Sequence, residues 1–249
     1  MQRDSKTEIS FSGYEPVQKI GGSMRIEDYI VPENVIPIIR NKQVLEDLPK
    51  DNIFVSKEDL VVLFRIEIPM QIERGVGLIQ VTDKIIDLWG MDTQEVYETA
   101  LKNMQERNYI KIYTMDSVIN SLLFGTEKEE ISKEVLEKMQ NPFLAMTSVN
   151  YMNGSAGILD TDKLQEISEA IGQDLYILPS SIHECLILPK YEKTVQELEE
   201  MVQEVNRQEV EPEEWLSDNV YEYSAATKEV TIAGNDVRKR DSVEHIRSM

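Results

Sequence analysis

Cysteine and histidine are scarce in this chain of 249 residues, and their scarcity excludes several kinds of site. Cys185 is the only cysteine, so no internal disulfide can form and no zinc site can be assembled from several thiolates. His183 and His245 are the only histidines, which is too few for a histidine-rich metal centre. We therefore predict that the chain binds no metal ion.

Long apolar runs and positive charge are also in short supply. No segment approaches the ~20 apolar residues that span a bilayer. Residues 1–10 have no apolar core of the kind found in a signal peptide. The 46 acidic and 26 basic side chains give a formal net charge of −20, which suits solubility, a basic protein partner or mimicry of a polyanion. Because such a surface repels nucleic-acid phosphates and anionic lipids, we expect a cytoplasmic protein that binds neither nucleic acid nor membrane.

The familiar motifs for holding a phosphate, a metal or a nucleophile do not occur. The sequence contains no G-x-G-x-x-G, no P-loop, no H-E-x-x-H and no G-x-S-x-G. Gly75 and Gly77 superficially resemble part of a phosphate loop, but they precede an apolar strand, whereas such a loop follows one. We interpret them as a turn and predict no cofactor.

The apolar residues that are present predict an α+β fold. Alternating or β-branched runs predict strands at 35–39, 60–68, 75–81, 143–151, 156–159, 174–178, 182–188, 220–223 and 230–232. Helical spacing predicts helices at 82–89, 93–104, 126–140, 161–171 and 195–205. Several neighbouring strands are joined by hairpins, one of them through a type I′ turn at Asn153 and Gly154. This favours mixed or antiparallel sheets packed against amphipathic helices over a doubly wound parallel sheet.

The pattern also suggests a division of the chain. We expect a flexible leader at 1–24, an N-terminal α+β half at 25–125, a helical connector at 126–141, a C-terminal α+β half at 142–234 and a disordered tail at 235–249. The last long helix carries five apolar residues that we expect on its buried face: Val195, Leu198, Met201, Val202 and Val205.

The densest group of reactive side chains lies between two predicted strands. The candidates for chemistry are Ser180, Ser181, His183 and Cys185. An imidazole that titrates near neutrality could activate a neighbouring hydroxyl or thiol for hydrolase-like or transferase-like chemistry. In a strand, Ser181, His183 and Cys185 share one face and Glu184 points to the other. The alternative is a structural turn, because catalytic triads are normally assembled from distant segments.

A second candidate surface follows in the sequence. The stretch 190–222 contains eleven acidic and three basic residues, which is typical of a solvated face or of a docking patch for a basic partner. Trp215 and Asp218 lie within it, and together with Glu184 they form a candidate interaction surface. Trp89 and Trp215 are more typical of packing than of binding platforms.

Several of these segments resemble one protein family. Leu175 to Glu184 (LYILPSSIHE), Met201 to Asn206 and Pro212 to Asp218 resemble a bacterial family of unknown function, number 5688. The chain is more faintly similar to a second uncharacterised bacterial family, number 1444. The likeness extends from about residue 28 to residue 223. The resemblance implies a further N-terminal region that this chain lacks, so we expect either a shortened version or a leader that has replaced that region. The resemblance implies a bacterial, cytoplasmic protein but no particular reaction.

Three hypotheses follow from these observations. The first is a non-enzymatic accessory or interaction protein whose acidic surface engages a basic protein. The second is an enzyme centred on Ser180, Ser181, His183 and Cys185. The third is a DNA mimic or anti-defence protein of a mobile element, which needs rows of carboxylates about 7 Å apart, as in the duplex backbone. The sequence predicts no oligomeric state.

Overall fold

Two antiparallel β-sheets and the helices packed on them form the described part of the chain, residues 25–69, 76–191 and 193–234 of a computed structural model. The strands are β1 Val35–Asn41, β2 Phe54–Lys57, β3 Leu60–Pro69, β4 Val76–Gln80, β5 Ile110–Thr114, β6 Leu144–Ser148, β7 Leu175–Pro179, β8 Glu184–Pro189, β9 Tyr221–Ser224 and β10 Glu229–Ile232. The α+β prediction is confirmed. The predicted leader at 1–24 and tail at 235–249 lie outside the described residues.

The helices cap and cover these sheets. They are α1 Asp83–Trp89, α2 Thr93–Glu106, α3 Met115–Phe124, α4 Lys133–Leu136, α5 Thr161–Ile171 and α6 Val195–Glu209, with short 3₁₀ helices at Ile26–Tyr29, Pro32–Asn34, Lys42–Glu46 and Gly154–Leu159. A capping box begins α2, as the spacing of Asp92 and Glu95 in the sequence predicts: the Asp92 carboxylate accepts from Glu95 N at 2.9 Å and the Glu95 carboxylate accepts from Asp92 N at 2.8 Å.

The first sheet is built around β3, the strand with the strongest β-forming sequence. β1 pairs along one side of β3, and β2 and β4 pair along the other. β1 is therefore an edge strand among the described strands, as Pro37 predicts, because proline cannot donate to a second neighbour. Of the two glycines interpreted as a turn, Gly75 lies outside the described residues, and the interpretation is wrong for Gly77, because it lies in β4 opposite Ile68.

The second sheet has the order β10–β9–β7–β8–β6–β5. The predicted hairpins β7–β8 and β9–β10 are confirmed. β8 lies inside the sheet, with Cys185 opposite Met146 of β6 on one side and Pro179 of β7 on the other. β5 is the strand at the far edge, and neither it nor β2 was predicted.

One hydrophobic core joins the two sheets. Its buried members come from both sheets and from α2 and α5, among them Phe64, Ala100, Met146, Leu164 and Ile187. Because both sheets contribute, this core covers both predicted α+β halves. Within residues 25–69, 76–191 and 193–234, none of the helices combines the length and apolar character needed to cross a bilayer.

The helix predicted over 126–140 is wrong for most of its length. α3 ends at Phe124, where Gly125 takes a left-handed conformation with φ of 66°. The following residues run past the edge of the second sheet, and Ile131 N donates to Ile112 O of β5 at 2.9 Å. Only α4, Lys133–Leu136, is helical. The free edge of β5 offers this segment a backbone partner, and that partner competes with helix formation.

The hairpin predicted at Asn153 and Gly154 is also wrong. Asn153 does adopt the positive φ of 55° that its turn chemistry allows, but residues 154–159 then form a 3₁₀ helix. A returning strand has no place beside β6, because β5 and β8 already occupy both of its edges. The segment instead lies across the sheet, and Gly154 and Gly157 allow its backbone to approach β6 closely.

The other face of the second sheet is covered by α6. Tyr176 and Leu178 of β7 pack with Leu198 and Val202 of α6 in a cluster separate from the main core. Of the five apolar residues expected on the buried face of α6, Leu198 and Val202 are buried and Val195 is half-buried against the same cluster, and the expectation is wrong for the other two. Met201 is 46% exposed and Val205 is 42% exposed, because the stripe is wider than the sheet surface that α6 covers.

Candidate functional site

Three of the four reactive residues predicted as a site, Ser180, Ser181 and His183, lie in the turn between β7 and β8, and the fourth, Cys185, is the second residue of β8. The Ser180 and Ser181 amides both donate to Glu184 O at 3.2 Å. The Ser181 hydroxyl accepts from His183 N at 3.0 Å. The turn is thus closed by its own backbone and one serine hydroxyl, and β8 begins only at Glu184.

The imidazole of His183 is held by residues from two distant segments. Its Nδ1 accepts from Asn153 N at 3.2 Å, and its Nε2 lies 3.3 Å from Glu214 Oε1. Because Nδ1 accepts a hydrogen bond, Nε2 carries the proton of the neutral ring and donates to Glu214. Asn153 is fixed in turn by the Arg40 guanidinium, which donates to Asn153 Oδ1 at 2.8 Å.

The carbonyl groups of the same turn are also satisfied. His183 O accepts from Gly154 N at 3.0 Å and from Thr147 Oγ1 at 2.9 Å. Ile182 O accepts from the buried Ser155 hydroxyl at 2.5 Å. The turn is therefore bound to β6 and to the 3₁₀ helix after it, an arrangement that stabilises the fold.

Cys185 is a member of the main hydrophobic core. Its side chain is fully buried, and burial, followed by the charge of Glu184, raises the pKa of the thiol. In the described part of the chain, the hydrogen-bond partners of the imidazole are Asn153 and Glu214, and neither serine hydroxyl is among them. The structure thus gathers Ser180, Ser181 and His183 in one turn without linking hydroxyl, imidazole and thiol. Catalysis by these residues stays a prediction.

We expect Cys185 to be inert toward thiol reagents in the folded protein. The buried thiol has little thiolate at neutral pH, and a reagent cannot reach it. Labelling with iodoacetamide, followed by intact mass, should show no adduct under native conditions and one adduct after denaturation. Rapid native labelling would contradict the buried position.

We expect His183→Ala to lower the free energy of unfolding by about 1–3 kcal/mol, because it leaves the nearly buried Asn153 amide without its acceptor. Urea denaturation measures the change. Glu214→Gln is the matched control, since it keeps an acceptor for Nε2 and should cost under about 0.5 kcal/mol. An unchanged midpoint for His183→Ala would show that the imidazole contributes nothing to the turn.

The candidate surface of Glu184, Trp215 and Asp218 divides between two places. Trp215 Nε1 donates to Asp218 Oδ1 at 3.1 Å, and Asn206 of α6 donates to the same oxygen at 2.8 Å. Trp215 is half-buried and Asp218 is exposed, so this pair fastens the segment after α6 to the helix. Glu184 instead lies at the start of β8, beside the turn, where its carboxylate accepts a hydrogen bond from the Ser180 hydroxyl at 3.5 Å.

An apolar groove runs between α6 and the outer face of the second sheet, and sequence reasoning missed it. Its floor is Leu178, Leu186 and Leu188, one wall is α6, and Phe143 lies on the opposite side. The cavity volume is about 270 Å³, and the turn contributes Pro179 and Ser180 to one end. The sequence did contain a signal for the groove, the wide apolar stripe of α6. Two of its five residues, Met201 and Val205, are left exposed in the structure.

Carboxylates border this groove along α6. Glu197 is four residues before Met201 and Glu204 is three residues after it, so both lie beside it on the helix surface. Glu200 and Glu204 accept hydrogen bonds from Gln196 and Gln208. Among the residues that the structure describes, no lysine or arginine forms an ion pair with these three glutamates. Lys193, at the start of α6, also lines the groove.

A metal site is absent from the residues described here, which contain no cluster of three or more His, Cys, Asp or Glu side chains placed to hold an ion.

The sequence model of one protein family, the family of unknown function DUF5688, matches residues 15–225. The chain belongs to this family. The predicted resemblance to family 5688 is confirmed, and the fainter resemblance to family 1444 stays a prediction. Neither the curated proteins nor the solved structures contain a match to the chain.

The part of the chain matched by DUF5688 includes the turn between β7 and β8, all of α6 and the groove between them. The matched residues therefore include the groove and the glutamates of α6 that border it. The family description itself assigns no activity.

Proposed function

We propose that this DUF5688 protein is a non-enzymatic interaction protein of the bacterial cytoplasm whose acidic surface binds a basic partner protein. The observation that carries the proposal is α6. It exposes Met201 and Val205 beside Glu197, Glu200 and Glu204, and these carboxylates form no ion pair among the described residues. Exposed apolar side chains rimmed by like charges mark a surface that a partner of opposite charge can cover.

The overall charge supports the same proposal. A net charge of −20 produces a long-range field that attracts a basic protein and repels acidic ones. Such steering weakens as salt shortens the Debye length, from about 10 Å at 0.1 M to about 3 Å at 1 M. Binding by this surface must therefore be salt-dependent.

Affinity capture from a bacterial lysate tests the proposal, with the full chain immobilised. The test variant is E197Q/E200Q/E204Q. The matched control, E95Q/E98Q/E106Q, removes three glutamates from α2, which is also exposed on one side. We expect the wild type and the α2 control to retain the same basic proteins at low salt. We expect the α6 variant to lose them, as does the wild type at high salt. Retention of the same proteins by all three would contradict the proposal.

The enzyme and the DNA mimic stay alternatives. The imidazole of His183 contacts Asn153 N and Glu214, and the Ser181 hydroxyl accepts from His183 N, so these contacts give the enzyme hypothesis no support beyond its residue types. The mimic requires carboxylates in ordered rows. The carboxylates on α6 are interleaved with exposed apolar side chains, which suits a protein partner better.

A further inference from the structure

We propose that the groove between α6 and the β7–β8 face receives a single amphipathic helix of the partner, with apolar side chains in the groove and basic side chains along α6. This rests on the proposed function and names the chemistry of its partner. The floor and both sides of the groove carry apolar side chains, among them Leu186, Leu188, Val202 and Phe143, and Lys193 is the basic residue of the lining.

The exposed apolar side chains at the opening of the groove favour an occupant that extends beyond the cavity and covers them. The cavity volume of about 270 Å³ is enough for several apolar side chains of such an occupant. The residues at its opening remain unusually exposed for apolar groups, with Met201 at 46%, Val205 at 42% and Phe143 at 42%. Met201 and Val205 lie one helical turn apart, so together they present a strip about 6 Å long to an occupant.

The backbone of the sheet excludes an extended peptide as the occupant. Strand addition needs a free sheet edge, and β8 is paired with β7 on one side and β6 on the other. An extended segment lying on this face would bury peptide N–H and C=O groups opposite leucine side chains, without partners. A helix satisfies its own peptide groups and buries only side chains.

The border of the groove specifies the charge of that helix. Glu197 and Glu204 flank Met201 on the helix surface, and Glu200 lies one turn from each of these two glutamates, on their side away from the groove. A helix with apolar residues at i, i+3, i+4 and i+7 would direct its flanking side chains toward these carboxylates. Lysine or arginine at the flanking positions fits them, and acidic residues there would be repelled.

A designed peptide tests the proposal on the full chain. The probe is a labelled amphipathic helix of about 18 residues, with leucine at i, i+3, i+4 and i+7 and lysine at the flanking positions. Binding is followed by fluorescence anisotropy at low and moderate salt. We expect M201Q/V205Q to weaken binding by about tenfold or more. The control L122Q replaces an exposed leucine of α3, outside the groove, and should bind as the wild type does.

The outcomes separate this inference from the proposed function. Equal binding by the wild type, M201Q/V205Q and L122Q, with strong salt dependence, would contradict binding in the groove. The proposal that the acidic surface binds a basic partner would then stand. If M201Q/V205Q weakens binding but neither salt nor E197Q/E200Q/E204Q does, the claim that the partner is basic would be contradicted.

Two other occupants are tested separately, one by displacement of the probe and the other by sedimentation. Displacement of the probe by a synthetic peptide of residues 235–249 would assign the groove to this chain itself. Sedimentation would show a second copy as occupant if self-association of the wild type disappears in M201Q/V205Q. Either result overturns the inference of a separate helical partner.

Discussion

Asp59→Ala is expected to destabilise the protein by about 3 kcal/mol or more, because it leaves several buried groups without their acceptor. Asp59 lies in the turn between β2 and β3, and its carboxylate joins the two sheets. It accepts from the Ser217 hydroxyl at 2.6 Å, the Asn219 amide at 3.0 Å and the Tyr221 hydroxyl at 2.6 Å. Burial, followed by the Asp59 carboxylate, raises the pKa of Tyr221, so its hydroxyl remains a donor.

The control for this prediction is Asp47→Ala, an exposed aspartate without this network, expected to change stability by under about 0.5 kcal/mol. Asp59→Asn separates charge from shape, since it retains one acceptor oxygen for three donors. Urea denaturation at neutral pH gives all three values. Similar midpoints for Asp59→Ala and Asp47→Ala would show that the network does not join the sheets.

Gly154→Ala is expected to cost at least about 3 kcal/mol, at the upper end of overpacking effects. A Cβ at this position would lie 2.3 Å from Ser148 N and 2.4 Å from Thr147 Cα. These are backbone atoms of β6, which cannot move aside because β5 and β8 hold it on both sides. Residue 154 would have to move away from β6 instead, and this shift would break the hydrogen bond from Gly154 N to His183 O that holds the turn.

Gly172→Ala separates steric overlap from backbone strain. Gly172 has φ of 77° at the end of α5, and a Cβ there meets nothing within 4 Å. The cost should therefore be only the left-handed conformation, about 1 kcal/mol. Thermal or urea denaturation of the two variants gives the difference. Equal destabilisation would mean that residues 154–159 do not press against β6.

Local sequence patterns predicted the correct secondary structure where the tertiary contacts favoured the same element. The alternation of β3, the capping box of α2 and the paired apolar runs of β7 and β8 each predicted the observed element. Patterns failed where a neighbouring element decided the outcome. Asn153 and Gly154 have the residues of a hairpin turn, but the filled edges of β6 leave a second strand no partner.

The candidate site shows the same limit. The turn at Ser180 to His183 could be located from its composition, and a structural role for its serines was one of the two interpretations. The partners of His183 could not be found, because Asn153 and Glu214 are about 30 residues away in opposite directions. The groove was missed for a related reason. Whether Met201 and Val205 are covered depends on how α6 lies on the sheet, and the spacing of apolar residues within α6 does not specify this position.

Site-specific photocrosslinking measures the central claim most directly. Benzoylphenylalanine is placed at Met201, inside the groove, or at Leu122, an exposed control position on α3, and crosslinked peptides are identified by mass spectrometry. We predict that position 201, and not 122, crosslinks to a basic segment with helical apolar spacing in one partner protein, and that E197Q/E200Q/E204Q removes the crosslink. Equal crosslinking from both positions, or crosslinks from 201 to acidic or extended segments, would contradict a groove built for a basic helix.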